Sequence, residues 1–376
     1  MCQLHDIRID DNANHESATS AGQREQTTEA FSERLVSFLN HGALALMLSL
    51  GHRSGLFDTM AQLPPSTPEA IASAAGLQPR YVKEWLGAMV TGGIVTHEPA
   101  EGTYALPSAH AAALTRGAAP NNVAAFMQYI PLLGSVEDKV LQCFRTGGGV
   151  PYAAYPRFQE VMADESGQTV LPALLDVILP LDPGLPARLR RGMHVLEFGC
   201  GSGRALNLLA QTFPASRFVG IDISAQGIRR ARTGAARKGL DNIRFEQRDA
   251  ATIDEHARFD LVLALDAVHD QARPRDVLRN VRRALRPRGR FLMQDIDASS
   301  HVRDNADHPL GPFLYTVSCM HCMTVSLAEG GAGLGAMWGR EQALTMLAEA
   351  GFTSTIVHRL PHDVQNCYYL SRIDGD

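Results

Sequence analysis

The sequence predicts an α/β fold, in which a Rossmann-like, doubly wound, mostly parallel sheet with an antiparallel edge strand follows an N-terminal helical winged-helix domain. Three observations predict it. From residue 190 onward, short apolar runs alternate with helical stretches, as in a parallel sheet covered by helices. Residues 195–203 change from an apolar run to alternating glycines, which indicates a buried strand that turns into a helix. Residues 51–106 carry three helix patterns and then a hairpin pattern.

Length and composition divide the chain. Its 376 residues, 45% of them hydrophobic, exceed what one core usually holds. We predict a disordered polar tail at residues 1–26, a helical winged-helix dimerisation-type domain at 27–115, a helical connector and pocket cover at 116–185, and the α/β domain at 186–376. The tail is rich in Asn, Ser, Thr and Gln and has no apolar period, so it cannot bury a core.

Charge and cysteine usage exclude some classes of protein. The net charge of −5 gives no general attraction to nucleic acid or to anionic membranes. Six scattered cysteines without a signal peptide indicate a reduced, cytoplasmic setting. The apolar run at residues 42–50 is too short to span a bilayer, so no membrane is expected.

The N-terminal module has clear helix boundaries. Apolar residues recur at helical spacing over residues 31–50 and are numerous enough to form a dimer contact. A short helix is predicted at 56–63, a second from the Thr67 cap to Gly76, and a third from Pro79 to residue 90. Strands at 94–96 and 104–106 would form the wing.

DNA binding is the obvious function of such a module, and its charges disfavour it. Residues 51–110 hold three Lys or Arg against five Asp or Glu, whereas reading a DNA groove requires cations on the phosphates. We therefore favour a structural role, in dimerisation and in covering a substrate site. In the connector, the glycines at 147–149 lead to Tyr152 and Tyr155, which either cover a pocket or anchor an ordinary surface loop.

Strand ends of the α/β domain carry a row of carboxylates. We predict strands at residues 195–198, 218–221, 243–246, 261–265, 291–294, 353–357 and 367–370, the last two forming an antiparallel edge pair, and helices near 203–213, 225–238 and 274–286. Ligands of such sheets lie at the carboxyl ends of the strands. There the sequence places four acidic residues, Glu197, Asp222, Asp249 and Asp266.

The glycine turn and its acidic residue together select a ligand. Gly199 permits a tight turn, and Gly201 allows the backbone to approach a ligand closely. The carboxylate of Glu197 would repel a pyrophosphate but suits a cationic amino-acid tail, such as that of S-adenosylmethionine. A dinucleotide-binding dehydrogenase is the alternative for this turn, and Glu197 fits it poorly.

In these motifs the chain resembles the class I S-adenosylmethionine-dependent methyltransferases, through the turn VLEFGCGSG at 195–203, the strand end Gly220-Ile221-Asp222 and the step Arg248-Asp249-Ala250. Its N-terminal part is similar to a bacterial family that fuses a winged module ahead of this fold. The resemblance implies S-adenosyl-L-methionine as cofactor. By position, the resemblance implies contacts of the methionine part with Glu197, Gly199 and Gly201, of the ribose with Asp222, and of the adenine with Asp249 and Ala250. The other predicted cofactor-binding residues are Cys200 in the glycine turn, Ile223, which can cover the adenine face, and Asp266 of the same row of carboxylates.

Two histidines are candidate general bases. His269 follows the fourth strand, with Asp270 placed to orient it; a purely structural role as a cap is the alternative. His321 lies in an insertion after the fifth strand that could roof the acceptor pocket. Its neighbours Cys319 and Cys322 invite a metal interpretation, but zinc needs a fourth ligand and the local run is apolar, so we predict no metal. The glycines at 330–335 suggest a lid or a plain linker.

The basic residues of the α/β domain do not indicate an RNA substrate. Residues 186–290 hold 21 Lys or Arg against 11 Asp or Glu, yet the exposed aromatics that stack on bases are nearly absent. The sequence therefore predicts a dimeric, cytoplasmic methyltransferase that acts on a small molecule by in-line displacement. The alternative is a ligand-responsive transcription regulator that uses the same fold as a sensor.

Overall fold

The structure, a computed structural model, describes residues 27–120 and 122–373. The predicted tail at 1–26 lies outside these residues. The chain divides into two compact units, residues 1–43 and 44–376. The described part of the first unit is the start of a helix, α1 (Thr28–Ser54), whose residues Phe31, Leu35, Val36, Phe38 and Leu39 are exposed.

Helix α1 contains the apolar pattern predicted over residues 31–50. Among the described helices it is long and apolar enough to cross a membrane by length and composition, although the apolar run at 42–50 by itself is too short. Core helices of soluble proteins and signal sequences meet the same criterion, and 28% of its most apolar window is buried. A bent pair, Phe158–Leu181 with Leu185–Arg191, meets it only if both parts count as one span.

The winged module forms largely as predicted. Its elements after α1 are α2 (Leu56–Met60), α3 (Pro68–Ala75), α4 (Pro79–Thr91), the antiparallel strands β1 (Thr96–Glu98) and β2 (Thr103–Ala105), and α5 (Ser108–Leu114). Thr67 Oγ1 accepts a hydrogen bond from the Ala70 amide at 3.3 Å, and Gly76 ends α3 in the left-handed conformation. The wing is displaced by one or two residues from its predicted strands, because burial of Val95 and Leu106 holds those residues in the core of the module.

Short helices form the connector. They are α6 (Tyr129–Gly134), α7 (Glu137–Thr146), α8 (Phe158–Gln168), α9 (Val170–Ala173), which continues into a π-helical turn at Leu174–Ile178, and α10 (Leu185–Arg191). The segment at 149–152 is held against the later insertion, because the Val150 amide donates to Thr324 Oγ1 at 2.8 Å. The π-helical turn packs its buried residues Leu174 and Ile178 on the core of the sheet.

A seven-stranded sheet confirms the predicted fold class. Its strands are β3 (His194–Phe198), β4 (Arg217–Asp222), β5 (Ile243–Gln247), β6 (Phe259–Leu265), β7 (Leu285–Ile296), β8 (Ser354–Arg359) and β9 (Asn366–Arg372), in the order β5-β4-β3-β6-β7-β9-β8. The first five are parallel, and β9 is antiparallel to both β7 and β8. Helices α11 (Arg204–Thr212), α12 (Ala225–Arg237) and α13 (Pro274–Ala284) connect the parallel strands.

The insertion after β7 contains helices that the sequence pattern did not predict in detail. They are α14 (Gly311–Val317), a π-helical turn at Ser318–Cys322, α15 (Met323–Ala328) and α16 (Gly339–Glu349). Helix α16 was missed because its apolar residues do not form one clean stripe, although it buries Ala343, Met346 and Leu347 against the sheet. Strand β7 also starts six residues before its predicted position, beyond an irregularity in its pairing with β6.

Candidate active site

The glycine turn follows β3 at the carboxyl edge of the sheet. Gly199 has a φ of +64°, and a Cβ on it would lie 2.4 Å from Ala267 Cβ. A side chain is therefore excluded both by backbone conformation and by space. Among the described residues, the one atom within 4 Å of a Cβ built on Gly201 is Gln159 Oε1, at 3.5 Å. The turn thus packs against the end of β6 while its middle stays open to a ligand.

Asp222 is tied to the glycine turn. Its Oδ2 accepts a hydrogen bond from the Gly201 amide at 2.8 Å, and its Oδ1 accepts one from the Ser224 amide at 2.7 Å. Burial raises the pKa of Asp222, and these two amides partly offset that effect. Because each carboxylate oxygen has a second lone pair, Asp222 can still accept two further hydrogen bonds from a ligand. The amides hold it in one orientation.

Glu197 and Asp266 are buried acceptors without donors. Glu197 Oε2 and Asp266 Oδ1 make no hydrogen bond to any described residue. Burial, with a contribution from the charge of Asp222, raises the pKa of Glu197 to about 8. Burial also raises the pKa of Asp266 to about 7. Although 30% of its side chain is exposed, its Oδ1 is buried. Asp266 Oδ1 has only a 3.8 Å contact with His269 Nδ1. A carboxyl without a hydrogen-bond donor in such a site favours a cationic ligand.

The remaining predicted cofactor residues differ in their availability. Asp249 uses its Oδ1 for the Ala251 amide at 2.8 Å and its Oδ2 for Arg273 Nη2 at 2.8 Å. Ala250 and Cys200 are buried, and Ile223 is exposed. Asp249 therefore caps its own turn, while Ile223 offers an open apolar face. The structure brings the row of strand-end residues to one edge of the sheet.

His269 lies between two aspartates. Its Nδ1 is 2.7 Å from Asp295 Oδ1, and its Nε2 is 3.2 Å from Asp270 Oδ1. The charges of Asp295 and Asp270 outweigh burial and hold the pKa of His269 well above its usual value. Conversely, the charge of His269 helps to hold the pKa of Asp270 below its usual range despite burial. Sequence reasoning identified Asp270 as the orienting group but missed Asp295.

Asp295 is fixed by further donors. Its Oδ1 also accepts from Trp338 Nε1 at 2.9 Å and from the Ile296 amide at 2.9 Å, and its side chain is fully buried. On the other side, Asp270 Oδ2 accepts from the Tyr152 hydroxyl at 2.8 Å. A continuous polar chain therefore runs from the connector through Asp270, His269 and Asp295 to the insertion. An aspartate directly after β7 was the sequence signal that could have identified Asp295.

His321 has an aromatic environment. Its ring stacks on that of Phe158, with 4.3 Å between the ring centroids. It forms T-shaped contacts with Tyr155 and Tyr152, at centroid distances of 4.9 and 5.4 Å. Burial lowers the pKa of His321 to about 4, so the ring is neutral at neutral pH. Its Nε2 is buried without a hydrogen-bond partner among the described residues. Both connector tyrosines thus pack against His321.

The predicted cysteine and histidine group does not assemble as one cluster. Within the described residues, the side chains close enough to share a metal are His269, Asp270 and Cys322, and Asp266, His269 and Asp295, without Cys319. Burial raises the pKa of Cys322 to about 12, so its sulfur is a protonated thiol rather than a thiolate ligand. The hydrogen bond between His269 Nδ1 and Asp295 Oδ1 is the contact expected of a base and the group that orients it.

Comparisons with known proteins identify the families that two parts of the chain resemble. Residues 189–351 match the family model of a methyltransferase domain, and residues 42–116 match that of an Rv2258c-like winged HTH domain. A fatty-acid O-methyltransferase of Mycolicibacterium smegmatis is 35% identical over 123 residues, which are 32% of this chain and 44% of that enzyme. For the 27-O-demethylrifamycin SV methyltransferase of Amycolatopsis mediterranei, the identity is 35% over 28% of this chain and 40% of that enzyme.

Solved structures share the fold over nearly the whole chain. Human N-acetylserotonin methyltransferase in complex with SAM superimposes with a TM-score of 0.67 at 16% identity, covering 94% of this chain and 99% of that one. The mitomycin 7-O-methyltransferase MmcR gives a TM-score of 0.65 at 18% identity, with 92% and 98% covered. At these identities the likeness concerns the fold. The aligned segments span less than half the length of the curated relatives described above.

Proposed function

Since this chain joins a methyltransferase domain to an Rv2258c-like winged HTH domain, we propose that it is an S-adenosylmethionine-dependent methyltransferase acting on a small-molecule hydroxyl. The observation that carries the proposal is the buried His269, hydrogen-bonded to Asp295 beside the glycine turn and its unpaired carboxyls. A cofactor slot and a proton acceptor therefore lie at the same edge of the sheet.

The residues present fit the cofactor. The ammonium of S-adenosylmethionine would be held near Glu197 and Asp266, whose buried oxygens lack donors, and its ribose by Asp222. Ile223 offers an apolar face to the adenine, beside Ala250 and Asp249. When bound, the cofactor supplies an electrophilic methyl group on a sulfonium, so the protein has only to align the acceptor and accept its proton.

His269 would accept that proton at Nε2. A carboxylate can only accept hydrogen bonds, so the short contact with Asp295 favours the proton of the neutral imidazole on Nδ1, and Nε2, which Asp270 faces at 3.2 Å, is left to accept the proton of the methyl acceptor. After the acceptor hydroxyl transfers its proton, Asp295 and Asp270 stabilise the imidazolium. His321, with its low pKa, is a poor base and instead forms part of the apolar wall that excludes water from the reaction.

The cofactor assignment is tested by titration calorimetry with S-adenosylmethionine and its demethylated product. We expect binding of both, and Asp222→Ala weakens it by about tenfold or more because each lost charged hydrogen bond costs about 1.5–3 kcal/mol. Asp241→Ala, which removes an exposed carboxylate before β5, is the matched control. Absence of binding, or equal affinity in Asp222→Ala, refutes the assignment.

The transcription-regulator alternative has weaker support. In α4, which occupies the position of a DNA-reading helix, Arg80 is engaged in an ion pair with Glu84.

We further propose a cytoplasmic homodimer. The dimer is supported by the exposed apolar residues of α1, and the reduced setting by the five cysteines of the described residues, which are all free.

A further inference from the structure

A cavity of about 320 Å³ opens at the amino-terminal edge of the sheet, among the residues that precede β3 and start β6. The glycine turn lies at the opposite, carboxyl end of the same strands. Four arginines line the cavity, Arg188, Arg191, Arg288 and Arg290, with Asp260 as the one acidic lining residue. It is therefore separate from the candidate active site and has a strongly basic wall.

An irregularity in β7 builds one side of this cavity. Phe259 of β6 pairs with Leu285, but Leu261 pairs with Arg290, so residues 286–289 bulge out of the ladder. Within the bulge Arg288 takes a left-handed φ of +62°, a conformation that costs free energy in a residue other than glycine. Arg288 and Arg290 are both brought to the cavity wall by this bulge.

The positive charges beneath the cavity exceed their partners. The buried carboxylate of Asp182 forms ion pairs with Arg188, with Arg290 Nε at 3.4 Å and with Arg372 Nη2 at 3.8 Å. Burial and the neighbouring charges of Arg372 and Arg188 lower the pKa of Arg290, despite the attraction of Asp182. One carboxylate therefore serves three guanidinium groups, which repel one another.

The second carboxylate, Asp260, is already engaged by other donors. Asp260 accepts from Arg286 Nη1 at 2.9 Å on both oxygens and from the His194 amide at 2.7 Å. Arg191 and Arg288 are exposed and take part in no ion pair within the described residues. Counted together over the described residues at this site, six arginines face two aspartates. A surplus of four positive charges around a concavity is an anion-binding arrangement.

We propose that this cavity is a binding site for a phosphate-type dianion, either free or as the phosphoryl group of a small molecule. Guanidinium groups match phosphate oxygens in a two-pronged geometry, and Arg191 and Arg288 have their donors free for it. A bound dianion would offset half of the surplus charge and relieve the repulsion among Arg188, Arg290 and Arg372. Because the site is far along the strands from the glycine turn, its occupation leaves cofactor binding unchanged.

The test is anion binding to the full chain at low ionic strength, by calorimetry and by the shift in thermal unfolding. The probes are inorganic phosphate, pyrophosphate and adenosine monophosphate, each compared with sodium chloride at matched ionic strength. We expect phosphate to raise the unfolding temperature above the chloride reference. Arg191→Gln combined with Arg288→Gln should weaken phosphate binding by about tenfold or more, as expected for lost charged hydrogen bonds.

The control variant for Arg191→Gln with Arg288→Gln removes two positive charges away from the cavity lining. Arg229→Gln combined with Arg237→Gln neutralises two exposed arginines of α12 and should leave phosphate affinity unchanged. Affinity for S-adenosylmethionine should stay equal in both double variants, which shows that each is folded. Tighter binding of adenosine monophosphate than of phosphate would identify a nucleotide source, and the reverse a free anion. The proposal is overturned if phosphate acts no differently from chloride, or if both double variants weaken it equally.

Discussion

The charge state of His269 is set by its two aspartate neighbours. Asp295 contacts Nδ1 and Asp270 lies 3.2 Å from Nε2. Together they raise the pKa of a fully buried imidazole that burial alone would lower. In the cofactor-free protein, the two carboxylates therefore favour the imidazolium form of His269. A bound cation such as a sulfonium would lower that pKa and release the base.

Replacement of His269 tests its role as base. We expect His269→Ala to reduce kcat by about 10²–10⁴-fold, the usual contribution of general-base catalysis, while the Kd for the cofactor changes by less than about twofold. Asp295→Asn should also reduce kcat, because an amide no longer fixes the proton on Nδ1. His256→Ala, at an exposed position, is the control. Unchanged turnover in His269→Ala would show that alignment alone suffices.

Asp270 sets the pH dependence of the same residue. In the proposed mechanism the base is unprotonated His269, so we expect activity to rise with pH through a pKa that lies above the usual 6.5. Asp270→Asn removes a negative charge next to Nε2, and we expect the acidic limb of the kcat/KM profile to move to lower pH. The matched control is Asp254→Asn, whose carboxylate is 87% exposed. A limb that stays in place or moves to higher pH contradicts the assignment.

At the scale of elements, the connector segment 147–158 contacts both the insertion and Asp270, a neighbour of the candidate base. Tyr152 donates to Asp270, and Tyr155 donates to the Met320 carbonyl at 2.5 Å. The segment can approach the insertion closely because residue 149 is glycine. A Cβ there would lie 2.0 Å from Thr324 O and 2.4 Å from the Ala328 amide nitrogen. These are backbone atoms, so neither can move aside cheaply.

Gly149→Ala should therefore displace the segment. We expect a loss of about 1–3 kcal/mol in stability, typical of overpacking, and a lower kcat because Tyr152 leaves Asp270. Thermal unfolding and steady-state kinetics measure the two effects. The control Gly134→Ala lies in α6 with no atom within 4 Å of the new Cβ. If Gly149→Ala and Gly134→Ala have the same unfolding temperature and the same kcat, the close approach of residue 149 to the insertion does not matter for stability or activity.

At the scale of the whole molecule, the exposed apolar residues of α1 bear on assembly. Leu39 is 73% exposed and Val36 59%, and contiguous apolar surface of this kind is typical of a protein contact. The proposed dimer would bury it. The overall charge of −5 does not oppose association of two copies strongly.

A paired substitution tests the dimer. Leu35→Glu combined with Leu39→Glu places charges in the apolar face, and we expect light scattering after size exclusion to report the mass of one chain instead of two. Asn40→Glu, also exposed on α1, should remain dimeric. If the unsubstituted protein already has the mass of one chain, the homodimer is wrong.

Much of the fold could be predicted because its determinants are local. Strand and helix periods, the Thr67 cap, the Pro68 start and the glycine turn depend on residues a few positions apart. The same holds for the row of strand-end carboxylates, since a parallel sheet places all those ends at one edge. Helix α16 and the early start of β7 escaped prediction because only packing against the sheet and the β6 pairing define them.

The sequence by itself determined the α/β class, the winged module and the row of strand-end carboxylates with Glu197, Asp222 and Asp266. Only the tertiary structure decided the partners of the candidate base. Asp295 lies 26 residues from His269, and Tyr152 lies 118 residues from Asp270. Beneath the arginine cavity, Asp182 forms ion pairs with Arg290 of β7 and Arg372 of β9, which are far from it in sequence. Such contacts depend on strand order and on the path of long connections, which local periodicity does not encode.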